Sequence, residues 1–171
     1  GEATDFITEH PAMRRILDTQ RAWVDGSRVL AYETGIALDM AKHHPEAAKR
    51  ESAQRWCALI TPILKSACTE QGFHGASDCL QVFGGHGYVS EWGIEQNVRD
   101  ARIAMIYEGT NEIQAIDLLM RKVLADGAQA LGEMLDELSA SLNPSEANHA
   151  QVLAFFASLR QVSDEAKQVQ A

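Results

Sequence analysis

Apolar residues recur along this chain every three or four positions, among Ala, Leu, Gln, Glu, Arg and Met, while β-branched alternation is almost absent. That periodicity predicts helices throughout. A first helix begins at Pro11, a favourable first-turn residue, and carries Met13, Ile16, Leu17, Trp23, Val24, Leu30, Ala31, Leu38 and Ala41 as an apolar stripe. It stops at His43-His44-Pro45, because the residue before a proline avoids the helical region.

A second span runs from about Ala47 to Phe83, with Trp56, Leu59, Ile60, Ile63, Leu64, Ala67, Cys68, Cys79, Leu80 and Phe83 facing inward. Pro62 removes one backbone donor inside it, so a kink is expected near Leu59 to Pro62, and a weaker irregularity at Gly72 to Gly75. Gly84 to Tyr88 ends the span and opens a loop with a short helical piece around Ile94 to Ala101. The next helix starts with Thr110 as N-cap, and Glu112 lies favourably against the positive end of its dipole. Ile113, Ile116, Leu119, Met120 and Val123 point inward from it. It continues, with a break near Gly127, through Leu131, Met134, Leu135, Leu138 and Leu142. Asn143-Pro144-Ser145 reads as a stop and a new cap, and Val152, Phe155, Phe156, Leu159 and Val162 mark a last helix that frays after Gln161.

These segments describe an all-α chain, an up-and-down four-helix bundle with an additional C-terminal helical segment. Residues 1–126 are assigned to the bundle and 127–171 to a helical extension packing on it.

Composition narrows the function classes. The formal net charge is -9 and the basic residues are scattered among acids, which argues against a nucleic-acid partner. No apolar run approaches the roughly 20 residues that span a bilayer, and GEATDFITEHP lacks the pattern of a secretion leader, so the expected location is cytoplasmic. Cys57, Cys68 and Cys79 stand 11 residues apart. On one helix face that is roughly 16 Å, too far for a disulfide or a shared metal, and the thiols are read as reduced and structural. His43-His44 has no ligand partner at helical spacing, so no metal site is expected.

Candidate chemistry gathers in two stretches. Gly84 and Gly85 follow a helix directly and, lacking side chains, let another molecule approach the backbone. Gly84 to Gly87 has neither the dinucleotide fingerprint nor the P-loop spacing. In the second stretch, IYEGTNEIQ, the helix start at Thr110 suits a phosphate, and Glu108 stands just before it. Taken alone, Glu108 is a solvated turn residue beside an N-cap. Arg99-Asp100 is read as an internal or solvated charge pair holding the loop that leads to it. Trp23 and Trp56 are assigned to the core, and for Trp92 core and loop roles are both open.

Read in order, CLQVFGGHGY (Cys79 to Tyr88), NVRDARIAMIYEGTNEIQ (Asn97 to Gln114) and AIDLLMRKVL (Ala115 to Leu124) resemble the C-terminal helical domain of the acyl-CoA dehydrogenase family. The likeness covers roughly Pro11 to Leu124, and the opening looks most like the longer bacterial branch. The resemblance implies that Glu108 is the catalytic base, removing the pro-R α-proton of an acyl-CoA thioester while the β-hydride passes to N5 of FAD and a trans-2-enoyl-CoA forms. Tyr107 and Gly109 would line the thioester site. Gln81, Gly84 and Gly85 would meet the adenosine-pyrophosphate end of FAD from a neighbouring subunit, and Thr110 and Glu112 would contact FAD from the helix start. Glu112 replaces a common family glutamine.

A weak carboxylate base for a C–H proton needs an apolar enclosure, which Ile103, Ala104, Met105, Ile106 and Tyr107 could line. The resemblance further implies a homo-oligomer, dimer or tetramer, an electron-transferring flavoprotein as partner, and a chain that is inactive alone because the family's N-terminal helical and middle β-domains are not in it. Alternatives are an acyl-CoA oxidase of the same fold, or a non-catalytic helical oligomerisation module.

Overall fold

The computed structural model describes residues 5–143, 145 and 148–170. Pro144 of the predicted stop, and the first four residues of the stretch tested as a leader, lie outside the described residues. Described elements are helical, with no strand among them: α1 (Pro11–His43), α2 (Ala47–Val82), α3 (Gly85–Tyr88), α4 (Ile94–Ala104), α5 (Asn111–Ile116), α6 (Gln129–Ser141) and α7 (His149–Gln170). Short 3-10 turns cover Ile7–Glu9 and Ser90–Trp92. The all-α prediction and the ends of the two long N-terminal helices agree with this. Helix α2 runs unbroken through Pro62 and through Gly72 to Gly75, and α7 continues past Gln161.

The chain divides into two compact units. One holds residues 1–33 and 64–112, the other residues 34–63 and 113–171. In the first, α1 lies beside α2, and the Gln20 side-chain amide donates to Asp78 at 3.3 Å. Trp23 does not enter a core here. It is 44% exposed and lines an open groove of about 500 Å³ with Ala22, Gly26, Leu30, Ala67 and Cys68. Small residues opposite it leave the space unfilled, a property that a stripe read along one helix does not reveal.

At the end of α2, Gly84 takes a positive φ of 58° and reverses the chain into α3. Gly87 is buried in the angle between these helices and α4. A Cβ built on it would stand 2.5 Å from the Leu80 carbonyl oxygen, 3.0 Å from Phe83 Cβ and 3.2 Å from Ile94 Cγ2. Backbone, not a flexible side chain, sets that limit.

The second unit holds the α1–α2 corner and a small core. Arg50 donates from Nη1 to the carbonyls of His44 at 2.7 Å and Pro45 at 3.0 Å, which ties the corner to the first turn of α2. Leu59, 2% exposed, packs with Val123, Ala128, Ala130 and Met134, and Trp56, Leu118, Leu124, Leu131 and Leu138 surround them. The predicted break near Gly127 is present as a Schellman stop. Gly127 has φ 64°, its N–H donates to Leu124 O at 3.2 Å, and the Ala128 N–H reaches back to Val123 O at 2.8 Å. The accompanying apolar contact is Ala128 against Val123, both in the core. The Asp126 carboxylate then accepts the Ala130 N–H at 3.0 Å at the start of α6.

Ile113, Ile116, Leu119 and Met120, predicted to point inward, are instead exposed, Ile113 by 55%. Residues Asp117–Val123 form a π-helical segment, with the Leu124 N–H bonding Leu119 O, five residues back. Val123 is buried as predicted, and the wider turn brings Leu118 and Leu124 beside it against the core in place of Leu119 and Met120. Cys57 is buried and Cys68 and Cys79 half-buried, all as free thiols.

We expect Gly87→Ala to destabilise the fold by about 1–3 kcal/mol, the cost of overpacking against backbone, read as a lower urea midpoint at unchanged slope. Gly85→Ala, where an added Cβ meets nothing within 4 Å, serves as the neutral control. Equal midpoints for the two variants would overturn this packing account.

Candidate active site

Two successive residues in the left-handed region shape the loop between α4 and α5. Helix α4 unwinds through bonds from Ile106 N–H to Ile103 O at 2.9 Å and Tyr107 N–H to the same carbonyl at 3.1 Å. Glu108 then takes φ 57° and Gly109 φ 81°, and the chain turns back so that the Asn111 N–H closes the loop on Met105 O at 3.2 Å. Glycine adopts such a φ freely, but for a residue with a Cβ the left-handed region costs roughly 1–2 kcal/mol. Among the described residues only Glu108 and Ala128 are non-glycine positions with positive φ. Strain of this kind persists where the surroundings hold it, and it concentrates at functional sites.

The surroundings here are side chains of α2. Lys65 Nζ donates to the Gly109 carbonyl at 2.7 Å and to Asn111 Oδ1 at 2.9 Å. Asn111 Nδ2 donates to Glu70 Oε2 at 3.2 Å, and the other oxygen of Glu70 lies 3.1 Å from His74 Nε2. The Thr69 hydroxyl lies 3.1 Å from Asn111 Oδ1 but 2.8 Å from Lys65 O, and its single proton favours the shorter contact. An ammonium on one side of the Asn111 amide and a carboxylate on the other fix which end is oxygen. A hydrogen bond to a charged group contributes about 1.5–3 kcal/mol, enough to hold the strain at Glu108. The sequence reading missed Lys65 and Asn111. They stand 46 residues apart, and Asn111 by itself looks like one more polar residue of a helix start.

Glu108, Tyr107 and Gly109 are all exposed in this chain, as are Ile103 and Ile106. The expected apolar enclosure of Glu108 is therefore not formed by the residues before it. Arg99 and Asp100 are exposed on α4, where Asp100 accepts the Gln96 side-chain amide at 2.7 Å. Thr110 stands directly before α5, at the predicted cap position. Its hydroxyl hydrogen-bonds the Glu112 carboxylate, and this contact first, then the Glu112 N–H and the charges of Arg102 and Lys65, hold the Glu112 carboxyl below its usual range. An ionised carboxylate at this helix start opposes a phosphate and suits a hydroxyl or amino donor instead.

Gln81, Gly84 and Gly85 lie exposed at the end of α2 and the start of α3. A Cβ added at either glycine meets nothing within 4 Å, so the backbone there is open to a partner molecule. Trp92 packs its ring on His86 beside them, with centroids 5.2 Å apart, and remains exposed. Lys65 and Gln81 are 16 residues apart on continuous α2, roughly 24 Å along its axis. The structure does not bring the Gln81 to Gly85 group and the Glu108 loop to one small site. Among the described residues no cluster of His, Cys, Asp and Glu is arranged to hold a metal ion.

The fold and this loop define an all-α domain that presents a strained carboxylate ahead of a helix start. The chain belongs to the acyl-CoA dehydrogenase family: residues 2–124 match the family's model for the acyl-CoA dehydrogenase C-terminal domain. It is 45% identical over 143 residues to 3-methylmercaptopropionyl-CoA dehydrogenase of Ruegeria pomeroyi, covering 82% of this chain and 24% of that protein. To the broad-specificity linear acyl-CoA dehydrogenase FadE5 of Mycobacterium tuberculosis it is 34% identical, covering 83% of this chain and 23% of the relative. The chain thus spans about a quarter of the length of these curated relatives. The solved structure of Bd2924 in its apo form matches 99% of this chain and 33% of its own, with TM-score 0.71 and 24% identity, a likeness of fold.

Thr110→Val removes the main contact that lowers the Glu112 carboxyl, so that group should titrate closer to the ordinary value of about 4.3. A lowered folded-state pKa stabilises above the unfolded value, and the benefit is lost as pH falls through the folded one. The urea-midpoint difference between wild type and variant should accordingly narrow in acid below about pH 4, with the Glu112 carboxyl carbon followed by NMR. A Glu112 titration unmoved by the substitution would refute the assignment.

Proposed function

We propose that the full-length protein containing this chain dehydrogenates acyl-CoA thioesters between Cα and Cβ, with Glu108 as the base. The observation that carries the reading is the conformation of Glu108, held left-handed on an exposed loop by hydrogen bonds from another helix. The names of the relatives, each a dehydrogenase of a CoA thioester, support the substrate class.

Glu108 takes the α-proton on its carboxylate, and Tyr107 and Gly109 line the thioester beside it. A carboxylate gains basicity as water is excluded. With Ile103, Ile106 and Tyr107 exposed, that exclusion comes from the acyl chain and from protein beyond this chain closing over the loop. The Glu108 backbone N–H is offered to the thioester oxygen, where enolate charge develops. FAD, when bound, supplies the acceptor for the hydride that leaves Cβ. The open backbone at Gly84 and Gly85 and the exposed Gln81 amide fit its adenosine-pyrophosphate end, and Thr110 and Glu112 fit its hydroxyl-bearing parts better than its phosphates.

The exposed Ile113, Ile116, Leu119 and Met120 support burial against further protein in a homo-oligomer, a dimer or tetramer. An electron-transferring flavoprotein takes the electrons onward, and the isolated chain is inactive. No helix among the described residues is long and apolar enough to cross a membrane, and the proposed location is the cytoplasm.

In the full-length protein, Glu108→Gln should slow bleaching of the flavin by acyl-CoA by about 10²- to 10⁴-fold in stopped flow, with FAD content unchanged. A variant that reduces its flavin at the wild-type rate would remove Glu108 from the mechanism.

A further inference from the structure

The geometry points to Lys65 as the positioning residue for the base: by clamping the Gly109 carbonyl and Asn111 Oδ1 it keeps Glu108 left-handed and sets the direction from which the carboxylate meets the substrate α-carbon. This rests on the reading of Glu108 as the base. The ammonium carries three donors, and both described acceptors belong to the loop: a carbonyl one residue after Glu108 and a side-chain amide three residues after it. Among the backbone bonds described for the loop, the closure from Asn111 to Met105 fixes its ends. Lys65 acts between those ends, on the Gly109 carbonyl. Its own backbone belongs to the uninterrupted α2, so the clamp transmits the position of a rigid element to a strained one.

Loss of the clamp lets the Glu108-Gly109 pair relax towards ordinary backbone conformations. The carboxylate then samples directions that do not face the α-carbon, while the acyl-CoA can still bind. Misplacement of a reacting group by about 1 Å costs on the order of 10²-fold in rate. Lys65→Met retains the aliphatic stem and removes the ammonium.

In the full-length enzyme we expect Lys65→Met to slow flavin reduction by acyl-CoA by about 10- to 100-fold with KM little changed. The primary isotope effect with an α-deuterated substrate should rise, because proton removal becomes more nearly rate-limiting. Backbone amide exchange across Met105 to Asn111 should quicken, and Lys65→Arg should recover part of the rate. A wild-type rate and isotope effect in Lys65→Met would overturn the assignment, as would a loss explained wholly by missing FAD with the isotope effect unmoved. Should Lys65→Met fail to fold, Asn111→Ala removes one of the two clamp acceptors and is expected to raise the same isotope effect, and an unchanged value would overturn the assignment. Glu108→Gln measured alongside separates the two ideas. If it retains activity, the base reading falls and this inference with it; if it is inactive while Lys65→Met is unimpaired, the positioning role alone falls.

Discussion

A single ammonium bonded to a single carbonyl ties the loop that carries Glu108 to α2. Lys65 Nζ on Gly109 O joins a residue in the middle of a continuous helix to the second of two successive positive-φ residues. The Asn111 amide extends that contact into a row running from Lys65 through Glu70 to His74, three charged or chargeable side chains of α2. Opposite charges on the two ends of one amide leave it a single orientation. The loop is thereby held from outside, through side chains of α2, with the Glu108 carboxylate exposed.

The second unit stabilises itself by a different device. A Schellman stop at Gly127 places Ala128 and Val123 in contact, and the Leu59 core grows around that pair. Ala128 accepts a positive φ because its methyl fills the centre of the core. Strain at Ala128 is thus held by packing, whereas strain at Glu108 is held by charge-assisted hydrogen bonds. The difference matches their settings: an interior excludes water and rewards apolar contact, and an exposed loop cannot be fixed that way. The π-helical turn that precedes the stop has a cost in register, visible as the outward-facing Leu119 and Met120, which extend the exposed stripe of Ile113 and Ile116.

Much of the fold was legible from local rules. Pro11 and Pro45 bound α1 for steric reasons that operate within a few residues, and Gly84 and Gly127 end helices because only a residue without Cβ takes their conformation easily. Burial was far less legible. Trp23 and Ile113 lie on apolar stripes yet stand exposed, since a stripe states which residues share a face and not what covers it. The π turn was hidden for a related reason: a register shift leaves no mark in a pattern read with a fixed period of 3.6.

The candidate site divides along the same line. Sequence by itself determined the identity of the groups, a glutamate before a glycine and a cap residue, and the kinship on which the proposed role of Glu108 rests, because motif residues are contiguous. Only the tertiary structure decided how that glutamate is held. Lys65 and Asn111 come together across 46 positions, and no local propensity encodes a hydrogen bond between a mid-helix lysine and a distant loop carbonyl. Tertiary structure also separated what the motif reading had grouped, since the helix end at Gln81 to Gly85 and the Glu108 loop attach to α2 about 24 Å apart along a rigid rod.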